Sequence, residues 1–339
     1  MSILWLSTSA LRGLRQAIIV PSTIRIGTRG SRLALWQAER TREVLQALDA
    51  GVAFEIVPIQ SRGDRSGRER ISDLGEVGIF TREIEQALLE ERVDVAVHSL
   101  KDLPTAGPPG LVLAALLPRD DARDALIAPA LAGFEDAPSR VALSALPSAA
   151  RLGTSSLRRR AQLLHARPDL QVVELRGNVT TRLERVEKGD LDGILLAAAG
   201  LDRLGLRPAG CVRLDPELML PAPAQGTIAV QVREGDAPAR ALVGRADDAA
   251  TRLTTDTERS LLRALEGGCR VPLGALARLE GDTLALRARL LSADGQKLLE
   301  RADSGPATDP EGLAERVAAD LLARGAASIL AALRAAPSG

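Results

Sequence analysis

The stretch that decides the fold class is Ile24-Arg25-Ile26-Gly27-Thr28-Arg29-Gly30-Ser31, an apolar strand that runs into a polar turn. A helix is predicted over residues 33–48, and the apolar run 54–59 predicts the next strand. A further helix at about 80–91 leads to a strand at 93–97. Strands that alternate with helices in this way predict an α/β domain with a mostly parallel sheet.

The same alternation returns between about residues 123 and 220. Strands are predicted near 124–128, 151–153, 171–175 and 192–196, and helical patterns separate them. This second run therefore predicts a second α/β domain.

The rest of the chain predicts one more strand and then a small α+β domain. Residues 226–232 form an apolar strand pattern, and a helix near 251–266 ends at Gly267-Gly268, since glycine commonly terminates helices. Three strands at 273–279, 283–291 and 296–302 are joined by tight turns. An amphipathic helix over 313–333 is predicted to close the chain.

Composition excludes several classes of function. With 339 residues the chain is long enough for two or three domains, and its net charge is +0. It therefore has no overall field that would attract nucleic acid or anionic lipid. Tyr is absent and only five residues are Phe or Trp, which removes the stacking surfaces of single-strand binders. We expect no nucleic-acid partner and, because apolar runs such as 194–199 fall far short of a membrane span, no membrane partner.

Cysteine and histidine are too few for a metal site. The chain has Cys211, Cys269, His98 and His165, and no two of them lie at ligand spacing. Two cysteines without a pairing framework favour a reducing compartment, so we expect a cytoplasmic protein. Residues 1–23 are apolar with two Arg and no acid, and we expect a disordered extension there rather than a targeting segment.

The segment Val97-His98-Ser99-Leu100-Lys101-Asp102-Leu103-Pro104 carries the first candidate for chemistry. Lys occurs only at 101, 188 and 297, against 41 Arg, so an ammonium beside a carboxylate at a strand end is unusual here. Such a carboxylate can transfer protons or stabilise a developing positive charge. Taken alone, the octapeptide favours the alternative of a solvated turn that holds a weak ion pair.

Three strand-to-helix junctions share one design. Each places Gly, hydroxyl or amide side chains and Arg where free backbone N–H groups converge, which favours binding of carboxylate or phosphate. Ordinary helix capping explains any single junction, but three in one chain favour a polyanionic ligand in a cleft between two α/β domains. The junctions are 27–31, 153–159 and 175–182.

Cys269 is the second candidate for chemistry. It follows two glycines and precedes Arg270-Val271-Pro272, and a thiol beside a cation is more reactive than an isolated one. An inert surface cysteine is the alternative. Cys211 has no activating neighbour and is expected to be structural.

Together these segments resemble the porphobilinogen deaminase (hydroxymethylbilane synthase) family of tetrapyrrole biosynthesis. The resemblance is collinear from about residue 24 to the C-terminus, and the motifs together are far more specific than any one of them. They are RIGTRGSRLALWQA (25–38), VHSLKDLP (97–104), GTSSLRR (153–159), LRGNVTTRL (175–183), PAQG (223–226) and EGGCRVPLG (266–274).

The resemblance implies a fold of two periplasmic-binding-protein-like α/β domains plus a small α+β C-terminal domain. The implied division is a 1–23 extension, domain 1 over 24–120 and 222–245, domain 2 over 121–221, and domain 3 over 246–339. It also implies a monomeric transferase that condenses four porphobilinogen molecules with loss of ammonia and releases hydroxymethylbilane by hydrolysis. The rival reading, a binding protein with the anion cleft but no chemistry, is disfavoured because both Asp102 and Cys269 are present.

Roles for individual residues also come from the resemblance. Asp102 matches the family's catalytic carboxylate, and Cys269 matches the cysteine that holds a dipyrromethane cofactor through a thioether. Further cofactor contacts are implied for Ser99, Lys101, Thr154, Ser156, Arg158 and Arg159. Substrate contacts are implied for Arg29, Ser31, Gln37, Arg176, Asn178, Arg182 and Gln225.

One departure from the family pattern lies after a predicted mobile loop at 60–75. Many members have Gly-Gly-Lys-Gly-Leu-Phe where this chain has GEVGIF (75–80), so Val77 replaces a lysine expected to face substrate carboxylates. An arginine of the preceding loop could substitute for it. The candidates are Arg62, Arg65, Arg68 and Arg70.

Overall fold

Three β-sheets organise the protein in a computed structural model that describes residues 23–60, 81–265 and 271–335. The first sheet has the strand order β2-β1-β3-β10-β4, with β1 paired to β2 and β3 in parallel and β10 antiparallel to both of its neighbours. Its strands are β1 (Thr23–Arg29), β2 (Ala53–Ile59), β3 (Val95–Ser99), β4 (Leu111–Leu116) and β10 (Ile228–Arg233).

The second sheet repeats this topology. Its order is β7-β6-β8-β5-β9, again with two parallel pairs and with β5 antiparallel to both neighbours. The α/β class and the mostly parallel sheets are confirmed, because four of the five strands in each sheet run in the same direction. The exception in each sheet is the strand that arrives from the other sheet, which enters in reverse. The strands are β5 (Asp124–Ile127), β6 (Arg151–Gly153), β7 (Gln171–Val173), β8 (Gly193–Ala197) and β9 (Cys211–Arg213).

Helices cover the two sheets, and the boundaries predicted from the sequence agree with the structure to within a few residues. Strands β4 and β9 and helix α7 were not predicted. The helices are α1 (Arg32–Leu48), α2 (Arg82–Leu89), α3 (Ser139–Ala145), α4 (Leu157–Ala166), α5 (Val179–Glu187), α6 (Ala198–Arg203) and α7 (Ala237–Gly244).

The chain crosses between the sheets twice, after β4 and before β10. The two crossing segments, residues 117–123 and 214–227, lie against each other, and the Asp120 amide donates to the Gly226 carbonyl at 3.1 Å. Gly226 has a φ of +96°, and a Cβ there would lie 2.6 Å from the Asp120 oxygen. This crossing therefore requires glycine.

A separate three-stranded sheet forms the C-terminal unit, as expected for a small α+β domain. Strands β11 (Leu273–Glu280), β12 (Thr283–Leu291) and β13 (Leu298–Pro306) form an antiparallel meander. Helices α8 (Ala249–Ala264), α9 (Pro310–Ala323) and α10 (Ala326–Ala335) accompany it. The single closing helix predicted over 313–333 is wrong, because Gly325, at φ +102°, separates α9 from α10.

Several expectations fall on residues that the structure does not describe. The N-terminal extension, the loop with its four arginines, Val77 and Cys269 all lie outside the described residues. The domain boundaries at 120/121, 221/222 and 245/246 stay predictions. Within the described ranges, no helix is both long and apolar enough to cross a membrane, and no cluster of three potential metal ligands occurs.

Candidate functional site

The first half of the site lies at the carboxyl ends of β1 and β3. The turn after β1 places Ser31 at the N-cap of α1, where its hydroxyl accepts from the Ala34 amide at 3.3 Å. Gln37, one turn further along α1, donates from Nε2 to the Ser99 hydroxyl at 2.9 Å. A cavity of about 80 Å³ opens between these elements. Among its lining residues are five of the predicted site residues, Arg29, Ser31, Gln37, Ser99 and Asp102.

The Lys101-Asp102 pair lies on a single 3₁₀ turn, Leu100–Asp102, directly after β3. The ammonium of Lys101 donates to Gln225 Oε1 at 3.0 Å, and the Asp102 side chain lines the cavity. Burial lowers the pKa of Lys101 to about 8, a shift that Asp102 opposes and Arg159 reinforces. Lys101 therefore faces the second sheet as well as its own turn.

Asp124 joins the two halves of the site. This fully buried carboxylate begins β5 and accepts from Gln225 Nε2 at 2.9 Å, so Gln225 connects it to Lys101. Arg158 approaches it at 2.6 Å and Arg159 at 2.8 Å. The two guanidiniums and the hydrogen bonds hold the pKa of Asp124 well below its usual range, although burial opposes this.

Arg158 and Arg159 are thus engaged within the protein as well as placed for a ligand. Arg158 also donates from Nη1 to the Leu220 carbonyl at 2.7 Å, whereas its buried Nε has no partner among the described residues. Arg159 donates from Nη1 to the Leu195 carbonyl at 3.0 Å. Sequence reasoning missed Asp124, yet one signal was visible: it is an acid immediately before the apolar run 125–128.

Arg182 supplies a further cation from α5 to this cluster. Burial and the nearby Arg159 lower its pKa to about 10, and the charge of Asp102 opposes that shift. Arg182 therefore lies within electrostatic reach of a residue on each sheet. Its Nε donates to the Gly177 carbonyl at 2.7 Å.

The remaining predicted residues serve local structure at two helix starts. Ser156 is the N-cap of α4, and its amide donates to the buried Thr154 hydroxyl at 3.2 Å. Asn178 is the N-cap of α5, where its Oδ1 accepts from the Thr181 amide at 2.9 Å. Arg176 pairs with Glu174 at 2.8 Å. The structure does not bring these two last side chains, Arg176 and Asn178, into contact with the cavity.

His98 is a second buried polar residue of the cavity that sequence reasoning left without a role. It is 5% exposed, and its Nε2 has no partner among the described residues. Burial lowers the pKa of this imidazole to about 4, so it is neutral at pH 7.

Comparisons with known proteins identify the family of this chain. Residues 24–241 match the model of the porphobilinogen deaminase dipyrromethane cofactor binding domain, and residues 253–323 match that of the porphobilinogen deaminase C-terminal domain. The porphobilinogen deaminase of Syntrophotalea carbinolica is 45% identical over 94% of this chain and 98% of its own. The porphobilinogen deaminase of Stenotrophomonas maltophilia is 45% identical over 91% of this chain and 99% of its own. The porphobilinogen deaminase of Moorella thermoacetica is 43% identical over 92% of this chain and 97% of its own. Because the matches extend over nearly the whole chain, it belongs to the porphobilinogen deaminase family.

Proposed function

We propose that this chain performs its family's reaction with Asp102 as the catalytic carboxylate and Cys269 as the attachment point of the dipyrromethane cofactor. The reaction joins four porphobilinogen molecules head to tail, with loss of one ammonia per addition, and hydrolysis releases hydroxymethylbilane. The bound cofactor supplies the primer to which the first substrate is added. The observation that carries the proposal is the convergence of the Lys101-Asp102 turn with three arginines of helices α4 and α5 around Gln225 and Asp124.

The charges around this point fit a polyanionic group. Lys101 and three arginines provide four cations, and Asp124 and Asp102 are the carboxylates beside them. The excess positive charge suits the acetate and propionate groups of linked pyrroles, because carboxylates pair with guanidiniums through charge-assisted hydrogen bonds. The unpartnered buried Nε of Arg158 also suits an acceptor that the protein itself does not supply.

Residues of both sheets would hold the cofactor. The roles proposed for Lys101 and Ser99 fit their place at the end of β3, and those of Thr154 and Ser156 fit the start of α4. Arg158 and Arg159 would contribute charge and up to two further donors each, since three of the five N–H groups of each guanidinium are engaged within the protein.

The cavity beside Asp102 is the proposed place for the incoming substrate. Arg29 and Ser31 would bind its carboxylates, and the Gln37 amide would orient them together with Ser99. Arg182 and Gln225 extend this set from the second sheet and the crossing segment. Contacts from Arg176 and Asn178 remain part of the proposal, although each is engaged with a local partner in this structure.

The position of Asp102 supports its proposed role. Its carboxylate lines the cavity, and loss of ammonia from the substrate leaves positive charge on a pyrrole nitrogen. A fixed negative charge lowers the energy of that developing cation, which is electrostatic stabilisation of the transition state. The neighbouring Lys101 ammonium would be occupied by ligand carboxylates.

Replacement of Asp102 by Asn tests the catalytic role. The amide keeps the shape and removes the charge, so we expect kcat to fall by about 10²- to 10³-fold, the range found when one stabilising group is removed. Intact mass should still show the two linked pyrrole units of the cofactor. Turnover at the native rate would refute the assignment.

Intact mass tests the cofactor anchor. The protein should be expressed in a host that makes porphobilinogen, beside a Cys269→Ser variant. We expect a mass excess of two linked pyrrole units in the native chain alone. An unmodified native chain that also fails to gain mass when porphobilinogen is added would instead support an anion-binding protein without chemistry.

We also propose a cytoplasmic monomer that has neither nucleic-acid nor membrane partners. The zero net charge and the scarcity of aromatic residues support the absence of those partners. Light scattering on the purified protein at micromolar concentration measures the oligomeric state, and a dimeric mass would contradict the proposal.

A further inference from the structure

A residue of the C-terminal unit holds the turn that carries Lys101 and Asp102. Arg259, in α8, is only 9% exposed, and its guanidinium points at the backbone of this turn. Its Nη1 donates to the Leu103 carbonyl at 3.1 Å and to the Leu100 carbonyl at 3.4 Å, and its Nη2 donates to the Pro104 carbonyl at 2.7 Å. One side chain thus binds three carbonyls within five consecutive residues.

The turn has little support of its own. Within it, the Leu103 amide donates to the Leu100 carbonyl at 3.2 Å, and the preceding Ser99 forms no side-chain cap. A 3₁₀ turn of three residues is geometrically weak, so its carbonyls need partners from elsewhere. A planar guanidinium with several fixed donors suits three neighbouring carbonyls better than an ammonium would.

The same helix is fixed on its other side. Glu258, the residue before Arg259, is fully buried and accepts from Arg119 at 2.7 Å, from the Ala224 amide at 2.6 Å and from the Ala277 amide at 2.8 Å. These three donors belong to the first crossing segment, the second crossing segment and β11. Helix α8 is therefore a rigid support, and Cys269 follows its last residue, Ala264, by only five positions.

We propose that Arg259 is a positioning residue for the reaction: it fixes the Asp102 turn against the helix that leads to the cofactor cysteine. The orientation of the Asp102 turn is then set by hydrogen bonds from this helix. A displacement of the order of 1 Å at a reacting group is enough to lower a rate about 10²-fold. This inference rests on the proposed role of Asp102.

The first test measures the turn itself. Hydrogen exchange is recorded by mass spectrometry on the full chain carrying Cys269→Ser, with Arg259→Gln or with the control Arg263→Gln. Arg263 lies one turn further along α8 with a 56% exposed side chain. We expect amides of residues 97–106 to exchange at least tenfold faster in Arg259→Gln alone. If these amides exchange in Arg259→Gln at the rate of the chain with Arg259 intact, the proposal is overturned. It is also overturned if the exchange rate rises uniformly throughout the chain.

The second test measures the reaction. With Cys269 intact, Arg259→Gln should lower kcat at least tenfold while KM changes less than threefold, and Arg259→Lys should recover part of the loss. Added to Asp102→Asn, Arg259→Gln should slow turnover less than threefold further, because residues that act through one group are not additive. If the fall in kcat of the double variant equals the product of the two single falls, the positioning role is overturned.

The two tests separate this inference from the function on which it rests. If Asp102→Asn turned over at the native rate, the catalytic role of Asp102 would fail. Hydrogen exchange would still decide whether Arg259 holds the turn. If Arg259→Gln does not fold, exchange and kcat of Arg259→Lys decide instead, and native values for both would overturn the proposal.

Discussion

The buried carboxylate of Asp124 provides the sharpest test of how this site is held together. It lies between Arg158 and Arg159, at 2.6 and 2.8 Å, with none of its surface exposed. Asp124→Asn keeps the size of the side chain but leaves two buried guanidiniums without their counter-ion. Removal of one partner from a buried ion pair costs about 3–5 kcal/mol, and we expect the free energy of unfolding to fall by about that amount.

Asp121 is a matched control three residues earlier. It also lies between two guanidiniums, those of Arg123 and Arg213, each at 2.8 Å, but its side chain is 23% exposed. Partly solvated ion pairs contribute about 1 kcal/mol or less. Asp121→Asn should therefore lower the free energy of unfolding by no more than that amount. Urea unfolding at pH 7, in chains that carry Cys269→Ser to exclude cofactor, gives both values by linear extrapolation. Equal losses in the two variants would refute the reasoning.

The pH dependence gives the same prediction an independent check. The folded pKa of Asp124 is depressed, so its stabilising contribution is present above the unfolded pKa near 3.8 and is lost as pH falls below it. The stability difference between the native chain and Asp124→Asn should therefore be constant from pH 7 to about 5 and shrink below pH 4. A difference that persists unchanged at pH 3 would show that charge is not its origin.

Three further outcomes follow from contacts around the site. The pKa of Lys101 is about 8 in the folded protein and 10.5 when unfolded, so burial of its charged form costs stability at pH 8. The free energy of unfolding of the native chain relative to Lys101→Met should therefore rise from pH 8 to pH 10.5, by at most about 3 kcal/mol. Urea titrations at the two pH values measure this difference. Glu258→Gln removes the counter-ion of Arg119 and should cost about 3–5 kcal/mol, measured by urea unfolding, whereas a loss under 1 kcal/mol would contradict a buried pair. Gly226→Ala places a Cβ 2.6 Å from the Asp120 oxygen at a residue with positive φ, and it should lower the free energy of unfolding by about 1–3 kcal/mol. A thermal melting temperature equal to that of the native chain would contradict this prediction.

The alternation of strands and helices predicted the α/β class because apolar periodicity is a local property. It failed where structure depends on distant pairing. Strand β9 is only three residues long and exists because β5 lies beside it. The antiparallel entry of β5 and β10 also has no local signal, since the direction of a strand is set by the crossing that delivers it. Gly325 separates α9 from α10 although the apolar pattern continues through it.

For the site, sequence motifs identified the residues that converge but not how they are held. The arginines of α4 were predicted as ligand donors, and the structure shows that their shared carboxylate is Asp124, 34 residues before Arg158. Such a pairing cannot be inferred from spacing. Gln225 was predicted in the cleft, but its position between Lys101 and Asp124 emerges only when both crossings are in place.

Helix α8 connects the C-terminal unit to the Asp102 turn and to both crossing segments. The groups bound by Glu258 and Arg259 are mainly backbone amides and carbonyls of the crossing segment, β11 and the Asp102 turn. Arg289 of β12 likewise donates to the Leu218 carbonyl of the second crossing segment at 3.1 Å. Backbone groups stay in place when side chains change, and directed hydrogen bonds fix orientation, which apolar contact alone leaves free to slide. The C-terminal unit therefore holds the Asp102 turn and the two crossing segments largely through hydrogen bonds to their backbone groups.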